Sequence, residues 1–478
     1  MLNSPQIQAL TAAAGTDNLC TEHATLWAYG MDNSRRHAVP DAVIFATDHA
    51  QVQRIVQVCH AQRIPLTARG RGTGTTGATV PIHGGVVLTF ERMNRILEIN
   101  PDDRLIVVEP GVTNAEVQAA VRPHGFFWPP DPTSSAFCTV GGNLAYNSAG
   151  PRAVKYGTVR DNVLALRAIT GDGRELRSGT RTTKGVVGYD LTRLIVGSEG
   201  TLALITEATL KLTPLPEAIR TARALYRDMR SAAHAVARLM AQPVTPCALE
   251  FIDGAAMDMI RGHTNADLPT HARAMLMIEV DGSPACLNAA LASVRRAAEV
   301  DGLLEWREAA DQTEVETLWA TRKALSPALR KVAPKKINED VVVPVSRIPE
   351  LISTLEELSK THAIPIINFG HAGNGNIHVN LLLDPDAPGA WERAHTCLDE
   401  VFAKVLQLGG TLSGEHGVGI EKRDFIDREL DATAINLMRQ IKRVFDPAGI
   451  LNADKTLPLS NAPDEHSNDE TNSKSGLN

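Results

Sequence analysis

Apolar residues recur at two spacings in the first half of the chain, and each spacing predicts a different element. Short apolar runs predict strands at 43–46, 64–68, 86–90, 104–109, 163–170, 194–196 and 202–212. After the first run, a spacing of three to four residues predicts a helix whose buried face consists of Val52, Ile55, Val56 and Cys59. Thr113 and Glu116 match a capping box, which predicts a further helix that ends near residue 124.

The second half of the chain continues this alternation with longer helical patterns. They predict helices at 228–241, 285–300, 313–333, 348–362 and 432–445, and strands at 274–280 and 340–343. The segment T-P-L-P-E at 213–217 has the composition of a linker. We therefore predict two folded α+β domains, at 38–217 and 218–457, followed by a polar, disordered tail at 458–478.

Composition excludes several classes of protein. The chain has 478 residues, a formal net charge of −7 and 43% hydrophobic residues, so a nucleic-acid binder with a basic face is not expected. No apolar run is long enough to span a bilayer, and the first twenty residues do not resemble a signal peptide. We expect a cytoplasmic protein without a transmembrane segment, and peripheral attachment to the inner membrane stays open. Six widely spaced cysteines exclude a local iron–sulfur or zinc-finger motif.

A glycine-rich loop at 69–77 follows the predicted strand at 64–68. Its Gly72, Gly74 and Gly77 match the G-x-G-x-x-G pattern of dinucleotide-binding folds. That pattern requires a helix immediately afterwards, but Pro81 and the glycine pair at 84–85 interrupt any helix here. Consecutive backbone N–H groups can bind phosphate without a helix. We therefore interpret the loop as a pyrophosphate cradle rather than as a Rossmann site.

Four chemically reactive residues lie in two glycine-rich segments near the end of the chain. His371 and His378 belong to H-A-G-N-G-N-I-H, and Glu415 and His416 belong to G-E-H-G. Two imidazoles and a carboxylate suit a divalent metal, and the remaining His416 suits a general base near neutral pH. Fifteen histidines in one chain also produce chance pairs. The clustering in two such segments favours the metal interpretation.

These motifs carry a resemblance to a known family. The loop at 69–77, T-V-G-G-N-L-A-Y-N-S-A-G at 139–150, K-Y-G at 155–157 and G-S-E-G-T-L-A-L-I-T at 197–206 resemble the PCMH-type FAD-binding domain of the vanillyl-alcohol-oxidase flavoproteins. The later histidine motifs resemble the FAD-linked oxidase C-terminal domain. The combination is similar to the D-lactate, glycolate and D-2-hydroxyglutarate dehydrogenases. It implies an α+β fold: an FAD domain of two α+β subdomains, an antiparallel-sheet cap domain and a C-terminal segment that returns to the flavin.

The resemblance also implies the residues that surround FAD. The segment L-N-A-D-K at 451–455 is similar to a family motif whose asparagine lies near the flavin, although Ala453 replaces the usual proline. Relatives that attach FAD covalently use a histidine beside the glycine-rich loop, and loop 69–77 has none, so noncovalent FAD is expected. The expected FAD contacts are Gly70, Arg71, Gly72, Thr73, Gly74, Thr139, Gly142, Asn143, Ser148, Gly200, Ile205 and Asn452.

The reaction that the resemblance implies is oxidation of a small D-2-hydroxy acid to the 2-oxo acid. It assigns His416 as the catalytic base, and it assigns zinc or manganese to His371, His378 and Glu415. The residues that it implies for the substrate are Arg322, Ser326 and Asn380. Relatives that act on D-2-hydroxyglutarate have a lysine where this chain has Asn338, which favours D-lactate or glycolate as the substrate.

Two alternatives and the partner proteins follow from the same resemblance. D-2-hydroxyglutarate is the alternative substrate. A non-catalytic FAD-binding subunit of a glycolate oxidase complex is the alternative from another class, but such a subunit has no need of the histidine and glutamate set. The related ether-lipid synthase carries a run of adjacent histidines that is absent here. We expect a quinone, a cytochrome or an electron-transfer flavoprotein as electron acceptor, and homodimerisation stays open.

Overall fold

The part of the chain that the structure describes contains three β-sheets of four or more strands, and the first two form one half of the molecule. The structure is a computed structural model that describes residues 1–261 and 267–459. The predicted tail at 458–478 therefore lies outside the described residues, apart from its first two. Among the described residues, no helix combines the length and the apolar character that crossing a bilayer requires. The mixture of helices and antiparallel sheets confirms the predicted fold class.

The first sheet is small and mostly parallel. Its strand order is β1-β2-β4-β3, with β1 antiparallel to β2 and the other neighbours parallel. The predicted helical face is confirmed, since Val52, Ile55, Val56 and Cys59 are all fully buried against this sheet. The elements are α1 (Ser4–Ala14), β1 (Leu19–Cys20), α2 (His23–Tyr29), β2 (Ala42–Phe45), α3 (His49–Gln62), β3 (Leu66–Arg69) and β4 (Val86–Thr89).

The second sheet is antiparallel, with the order β5-β6-β10-β8-β9. The capping box is confirmed, because Thr113 accepts the Glu116 N–H and the Glu116 side chain accepts the Thr113 N–H. The elements are β5 (Ile96–Asn100), β6 (Leu105–Val108), α4 (Asn114–Val121), β7 (Phe126–Phe127), α5 (Val140–Tyr146), α6 (Ala153–Tyr156), β8 (Val163–Thr170), β9 (Glu175–Gly179), α7 (Leu191–Ile195), β10 (Ala203–Lys211) and β11 (Thr213–Pro214).

The strand predicted at 194–196 is wrong. Helix α7 occupies this segment, and Asp190 caps its first turn by accepting the Arg193 N–H at 2.9 Å. Ile195 and Val196 are buried as expected, but a short apolar run does not distinguish a buried strand from one turn of a buried helix. The predicted linker is also partly ordered, because β11 pairs with β7.

The third sheet has seven antiparallel strands in the order β15-β12-β14-β13-β17-β18-β16. Helices α8, α10, α12 and α13 contribute to the large apolar core on one face. The elements are β12 (Ala218–Tyr226), α8 (Met229–Ala241), β13 (Ala248–Asp253), α9 (Gly254–Ile260), β14 (Ala274–Gly282), α10 (Pro284–Ala298), β15 (Leu303–Glu308), α11 (Gln312–Val332), β16 (Lys335–Val342), α12 (Ile348–His362), β17 (Ile366–His371), β18 (Asn376–Leu383), α13 (Ala390–Gln407), α14 (Ile426–Glu429) and α15 (Ala432–Phe445).

The end of the described chain returns to the first sheet. The Leu66 N–H donates to the Ile450 carbonyl at 2.8 Å, and the Asn452 N–H donates to the Leu66 carbonyl at 3.0 Å. Ile450 and Leu451 are buried in the core of that sheet. These contacts place Asn452 beside the loop that follows β3.

We predict that Leu276→Ala destabilises the seven-stranded domain, because Leu276 on β14 is fully buried in its core. The truncation should lower the free energy of unfolding by about 2–5 kcal/mol, measured by urea denaturation. Leu304 on β15 of the same sheet is the matched control, since it is 43% exposed. Leu304→Ala should change the free energy by less than about 1 kcal/mol. Equal losses in the two variants would contradict the assigned core.

Candidate active site

A cavity of about 1070 Å³ lies where the three sheets meet. One wall comes from the glycine-rich loop and from the segments that begin α5 and β10, and the opposite wall comes from the seven-stranded domain. All of the residues predicted to surround FAD line this cavity: Gly70, Arg71, Gly72, Thr73, Gly74, Thr139, Gly142, Asn143, Ser148, Gly200, Ile205 and Asn452. The structure therefore brings together segments that are far apart in sequence.

The glycine-rich loop follows β3 and passes under neighbouring side chains with no space for a Cβ atom. Gly72 has a left-handed φ of +65°, which a glycine adopts without strain. A Cβ on Gly74 would lie 2.5 Å from the Tyr146 hydroxyl oxygen. Because these positions carry no Cβ atom, a ligand in the cavity can come close to the backbone of the loop. No helix follows the loop, which agrees with the cradle interpretation.

The two motif histidines lie on neighbouring strands, and each presents its Nδ1 atom to a carboxylate. His371 ends β17, and its Nδ1 lies 2.7 Å from Glu250 Oε1 on the adjacent strand β13. His378 is on β18, and its Nδ1 lies 3.4 Å from Asp340 Oδ1 on β16. A carboxylate at Nδ1 is the usual partner of a metal-binding histidine, because it orients the ring and leaves Nε2 for the metal.

The Nε2 atoms of both histidines face Glu415. The distance to Glu415 Oε1 is 3.3 Å from His371 Nε2 and 3.8 Å from His378 Nε2. Ligand atoms bound at about 2.0–2.2 Å around a tetrahedral zinc are roughly 3.3–3.6 Å apart. Glu415 Oε2 is buried and has no hydrogen-bond partner among the described residues. These three residues could therefore hold one divalent metal ion.

Charges at this position support the same interpretation. Burial opposes the charged form of His371, but Glu250 and Glu415 on either side outweigh burial and raise its pKa to about 10. Burial also opposes the charge on Glu415, yet His371 lowers the pKa of that carboxyl to about 2. His371 thus lies between two buried carboxylates, and Glu415, unlike Glu250, has no arginine partner in the described part of the chain, so a metal ion beside Glu415 would compensate its buried charge.

Sequence reasoning did not assign Glu250 or Asp340 to the site. Asp340 Oδ2 accepts the N–H groups of Gly414, Glu415 and His416 at 3.0, 2.7 and 2.8 Å. Its Oδ1 accepts the Asn376 side chain at 2.6 Å. Burial opposes the charge of Asp340, but His416 and His378 hold its pKa well below the usual range. The sequence did contain one signal for Glu250, which is a carboxylate in the middle of the mostly apolar segment A-L-E-F-I-D at 248–253.

His416 lies beside the two metal-ligand candidates that face the large cavity. Its ring stacks on His378, with centroids 5.1 Å apart and an interplanar angle of 11°. Asp340, His378, Glu415 and His416 offer ligand atoms that all lie within 4.8 Å of one another. This group includes His416 and does not include His371, so the assignment of His371 as a metal ligand stays a prediction. His416 lines the cavity wall, and its role as a base likewise stays a prediction.

Two of the predicted substrate residues line the large cavity, and one does not. Arg322 on α11 donates from Nε to Glu250 Oε2 at 2.7 Å, and Ser326 lies one helical turn further along. Asn380 on β18 is fully buried within the sheet. Its side-chain N–H groups bond to the Ile367 and His378 carbonyls, and its Oδ1 accepts the Asn338 side chain at 2.7 Å. A direct substrate contact from Asn380 stays a prediction.

Comparison with known proteins gives a consistent result for both halves of the chain. Residues 215–456 match the family described as FAD linked oxidases, C-terminal domain, and residues 40–179 match an FAD binding domain. The glycolate oxidase subunit GlcD of Bacillus subtilis is 36% identical over 95% of this chain and 97% of its own length. A probable mitochondrial D-lactate dehydrogenase of Danio rerio is 31% identical over 95% of this chain and 92% of its own length.

Solved structures show the same fold at low sequence identity. A p-cresol methylhydroxylase with bound substrate gives a TM-score of 0.77 at 17% identity, covering 94% of this chain and 95% of that chain. An alkyldihydroxyacetonephosphate synthase gives a TM-score of 0.73 at 20% identity, covering 95% of this chain and 86% of that chain. These similarities concern the fold alone.

We predict that the purified protein is yellow and that acid precipitation releases its FAD, because loop 69–77 carries no histidine. Gly74→Ala should lower the FAD content, since the added methyl group meets the Tyr146 hydroxyl at the cavity wall. Flavin content is measured by absorbance of the released cofactor. Gly185→Ala, in an exposed loop, is the control and should retain parental FAD. Flavin that stays with the washed precipitate would exclude noncovalent binding.

Proposed function

Because the chain belongs to the family of FAD-linked oxidases, we propose that it oxidises a small D-2-hydroxy acid to the corresponding 2-oxo acid. D-lactate and glycolate are the favoured substrates. One observation carries the proposal: two histidines, each with a carboxylate oxygen within 3.4 Å of Nδ1, direct Nε2 toward Glu415, next to His416 on the wall of the FAD cavity. The relatives named for glycolate and D-lactate oxidation support the substrate class.

In this proposal, His371, His378 and Glu415 hold a zinc or manganese ion. The argument is the set of distances among their ligand atoms together with the carboxylates at both Nδ1 atoms. A bound divalent ion supplies Lewis acidity toward the hydroxyl and carboxylate oxygens of the substrate. Glu250 bonds to His371 Nδ1 and keeps that ring in the orientation that this binding needs, and Asp340 Oδ1 lies 3.4 Å from His378 Nδ1.

His416 is the proposed general base. Its imidazole lies on the cavity wall and stacks on His378. It accepts the proton of the substrate hydroxyl at a ring nitrogen while the substrate Cα–H bond breaks. FAD, when bound, accepts the hydride. The contacts from the Glu415 and His416 N–H groups to Asp340 hold both residues in place during this transfer.

Arg322 is the proposed partner of the substrate carboxylate. Its guanidinium group is nearly buried, and its bond to Glu250 fixes it beside the metal-site residues while it faces the cavity. Ser326 follows on the same face of α11. Asn338 occupies the cavity wall where relatives with a second carboxylate in their substrate have a lysine, which favours the smaller acids. D-2-hydroxyglutarate is the alternative, because Lys335 and Lys336 line the same cavity.

A flavin-binding subunit without catalysis is the alternative from another class. The four facing groups of the site argue against it, because gathering one carboxylate and three imidazoles in a largely buried place costs stability and serves no purpose in a passive subunit. The electron acceptor in our proposal is a quinone, a cytochrome or an electron-transfer flavoprotein. A screen of D-2-hydroxy acids with an artificial dye acceptor tests the reaction class directly.

We predict that prolonged chelation abolishes turnover and leaves FAD bound, and that zinc or manganese restores activity. His371→Ala should also abolish turnover and leave FAD bound. It removes a proposed metal ligand that lies on the side of the site away from the FAD cavity. Metal content is measured by mass spectrometry and turnover by dye reduction. His362→Ala is the control, since His362 lies on α12 and pairs with Glu400 outside the cavity. Full activity without bound metal would refute the ligand assignment.

We predict different defects for the neighbours Glu415 and His416. Glu415→Ala should lower metal content and activity together. His416→Ala should keep both FAD and metal, yet slow reduction of the flavin by about 10²–10⁴-fold, the usual contribution of a general base. Anaerobic stopped-flow reduction by D-lactate or another accepted D-2-hydroxy acid measures this step. If His416→Ala reduces its flavin at the parental rate, another residue is the base.

A further inference from the structure

The segment 412–421 carries Glu415 and His416, and it is held in place mainly by its own backbone N–H groups. It contains no helix and no regular strand. From the seven-stranded domain, Asp340 accepts three consecutive N–H groups at 414–416. From the glycine-rich loop, the Thr76 carbonyl accepts the N–H groups of residues 420 and 421 at 2.9 and 3.3 Å. Glu429 accepts the Leu412 N–H at 2.9 Å at the start of the segment. A further contact, in its middle, comes from a residue to which no role has been given.

That residue is Glu199, in the turn between α7 and β10. Its Oε1 accepts the Val418 N–H at 2.7 Å, and its Oε2 accepts the Gly419 N–H at 2.8 Å. Glu199 also lines the FAD cavity, and its carbonyl accepts the Asn452 side chain. The side chain therefore connects the wall of the FAD cavity to the segment that carries the proposed base.

This contact is costly for the folded protein. Glu199 is 5% exposed, and no ion pair among the described residues includes it. Its backbone adopts a left-handed φ of +52°, which is strained for a residue with a side chain. Burial raises the pKa of its carboxyl to about 7 despite the two backbone hydrogen bonds. Strain and a buried carboxylate at one position commonly mark a functional constraint.

The segment has no room to shift at this contact. Gly417 has a φ of +82°, and a Cβ there would lie 2.6 Å from the Tyr146 ring and 2.7 Å from Glu199 Oε1. Tyr146 is itself part of the cavity wall. Glu199, Tyr146 and Gly417 thus set the distance between the FAD cavity and the segment 412–421.

We propose that Glu199 is a positioning residue, which holds the proposed base and metal-ligand segment at a set distance from the flavin. The inference rests on the proposed function. In that function the seven-stranded domain holds the substrate and the other half of the molecule holds FAD, so the reacting atoms are carried by different parts of the fold. Small errors in such alignment, on the order of 1 Å, cost about 10²-fold in rate. In this proposal Glu199 acts through its bonds to Val418 and Gly419.

The first test measures the contact itself by hydrogen–deuterium exchange. Glu199→Gln keeps the shape of the side chain, but its amide group can accept only one of the two backbone N–H groups and turns a donor toward the other. We expect exchange in a peptide covering 412–421 to become at least severalfold faster. Glu109→Gln is the matched control, because Glu109 is equally buried, accepts the Arg95 N–H and lies outside the cavity. If the peptide covering 412–421 exchanges in Glu199→Gln at the same rate as in the parental protein, the proposal is overturned.

The second test separates positioning from general stability. Glu199→Gln loaded with FAD and metal should show about tenfold or slower flavin reduction at saturating substrate, with little change in the substrate concentration that gives half the maximal rate. The reason is that the residues proposed to bind substrate are untouched. A purely structural role would instead lower thermal stability and FAD content while leaving the rate of the loaded protein unchanged, and that result would overturn the proposal.

Gly417→Ala provides an independent route if Glu199→Gln does not retain FAD. The added methyl group pushes the same segment away from Glu199 and Tyr146 without changing either residue. If Gly417→Ala shows slower flavin reduction and faster hydrogen–deuterium exchange at 412–421 than the parental protein, the proposal is supported. If both rates equal the parental rates, the proposal is refuted. If no D-2-hydroxy acid reduces the parental flavin, the proposed function fails, whereas the exchange measurements still decide whether Glu199 holds this segment.

Discussion

Acceptance of backbone N–H groups by buried carboxylates is the interaction on which the arrangement of the site depends. The segment with Glu415 and His416 has no helix or strand to hold it, and buried N–H groups require acceptors. Asp340 supplies one from the seven-stranded domain, and Glu199 supplies one from the FAD side. Charged acceptors make short and directional hydrogen bonds. The segment is therefore fixed from both sides, at the place where the two halves of the molecule meet.

A third buried carboxylate, Glu250, joins the groups that the proposed reaction needs. One oxygen contacts His371 Nδ1 and the other accepts the Arg322 guanidinium, each at 2.7 Å. Burial opposes its charge, yet His371 and Arg322 keep the pKa of Glu250 below its ordinary value. A single side chain thus orients a proposed metal ligand and the proposed substrate cation together. A change at Glu250 would disturb both at once, whereas changes at Ser326 or Asn380 would not.

The overall fold and the side chains of the site carry different kinds of information about function. Over 94–95% of its length, the chain shares its fold with solved proteins named for quite different reactions, a p-cresol methylhydroxylase and an alkyldihydroxyacetonephosphate synthase. A shared fold therefore leaves the reaction open. The reaction proposed here depends on side chains that the seven-stranded domain and the following segment bring to the cavity. Strand register decides their positions, because His371 lies directly opposite Glu250 on β13.

The sequence alone determined the features whose partners are close along the chain. The buried face of α3 and the capping box at Thr113 depend on interactions within a few residues, so their patterns were sufficient. The helix at Leu191–Ile195 was missed, since one buried turn and one buried strand look alike in sequence. Only the tertiary structure revealed the roles of Glu250 and Glu199. Their partners are 121 and 219 residues away, and contacts over such separations follow from sheet register and domain packing, which no local pattern encodes.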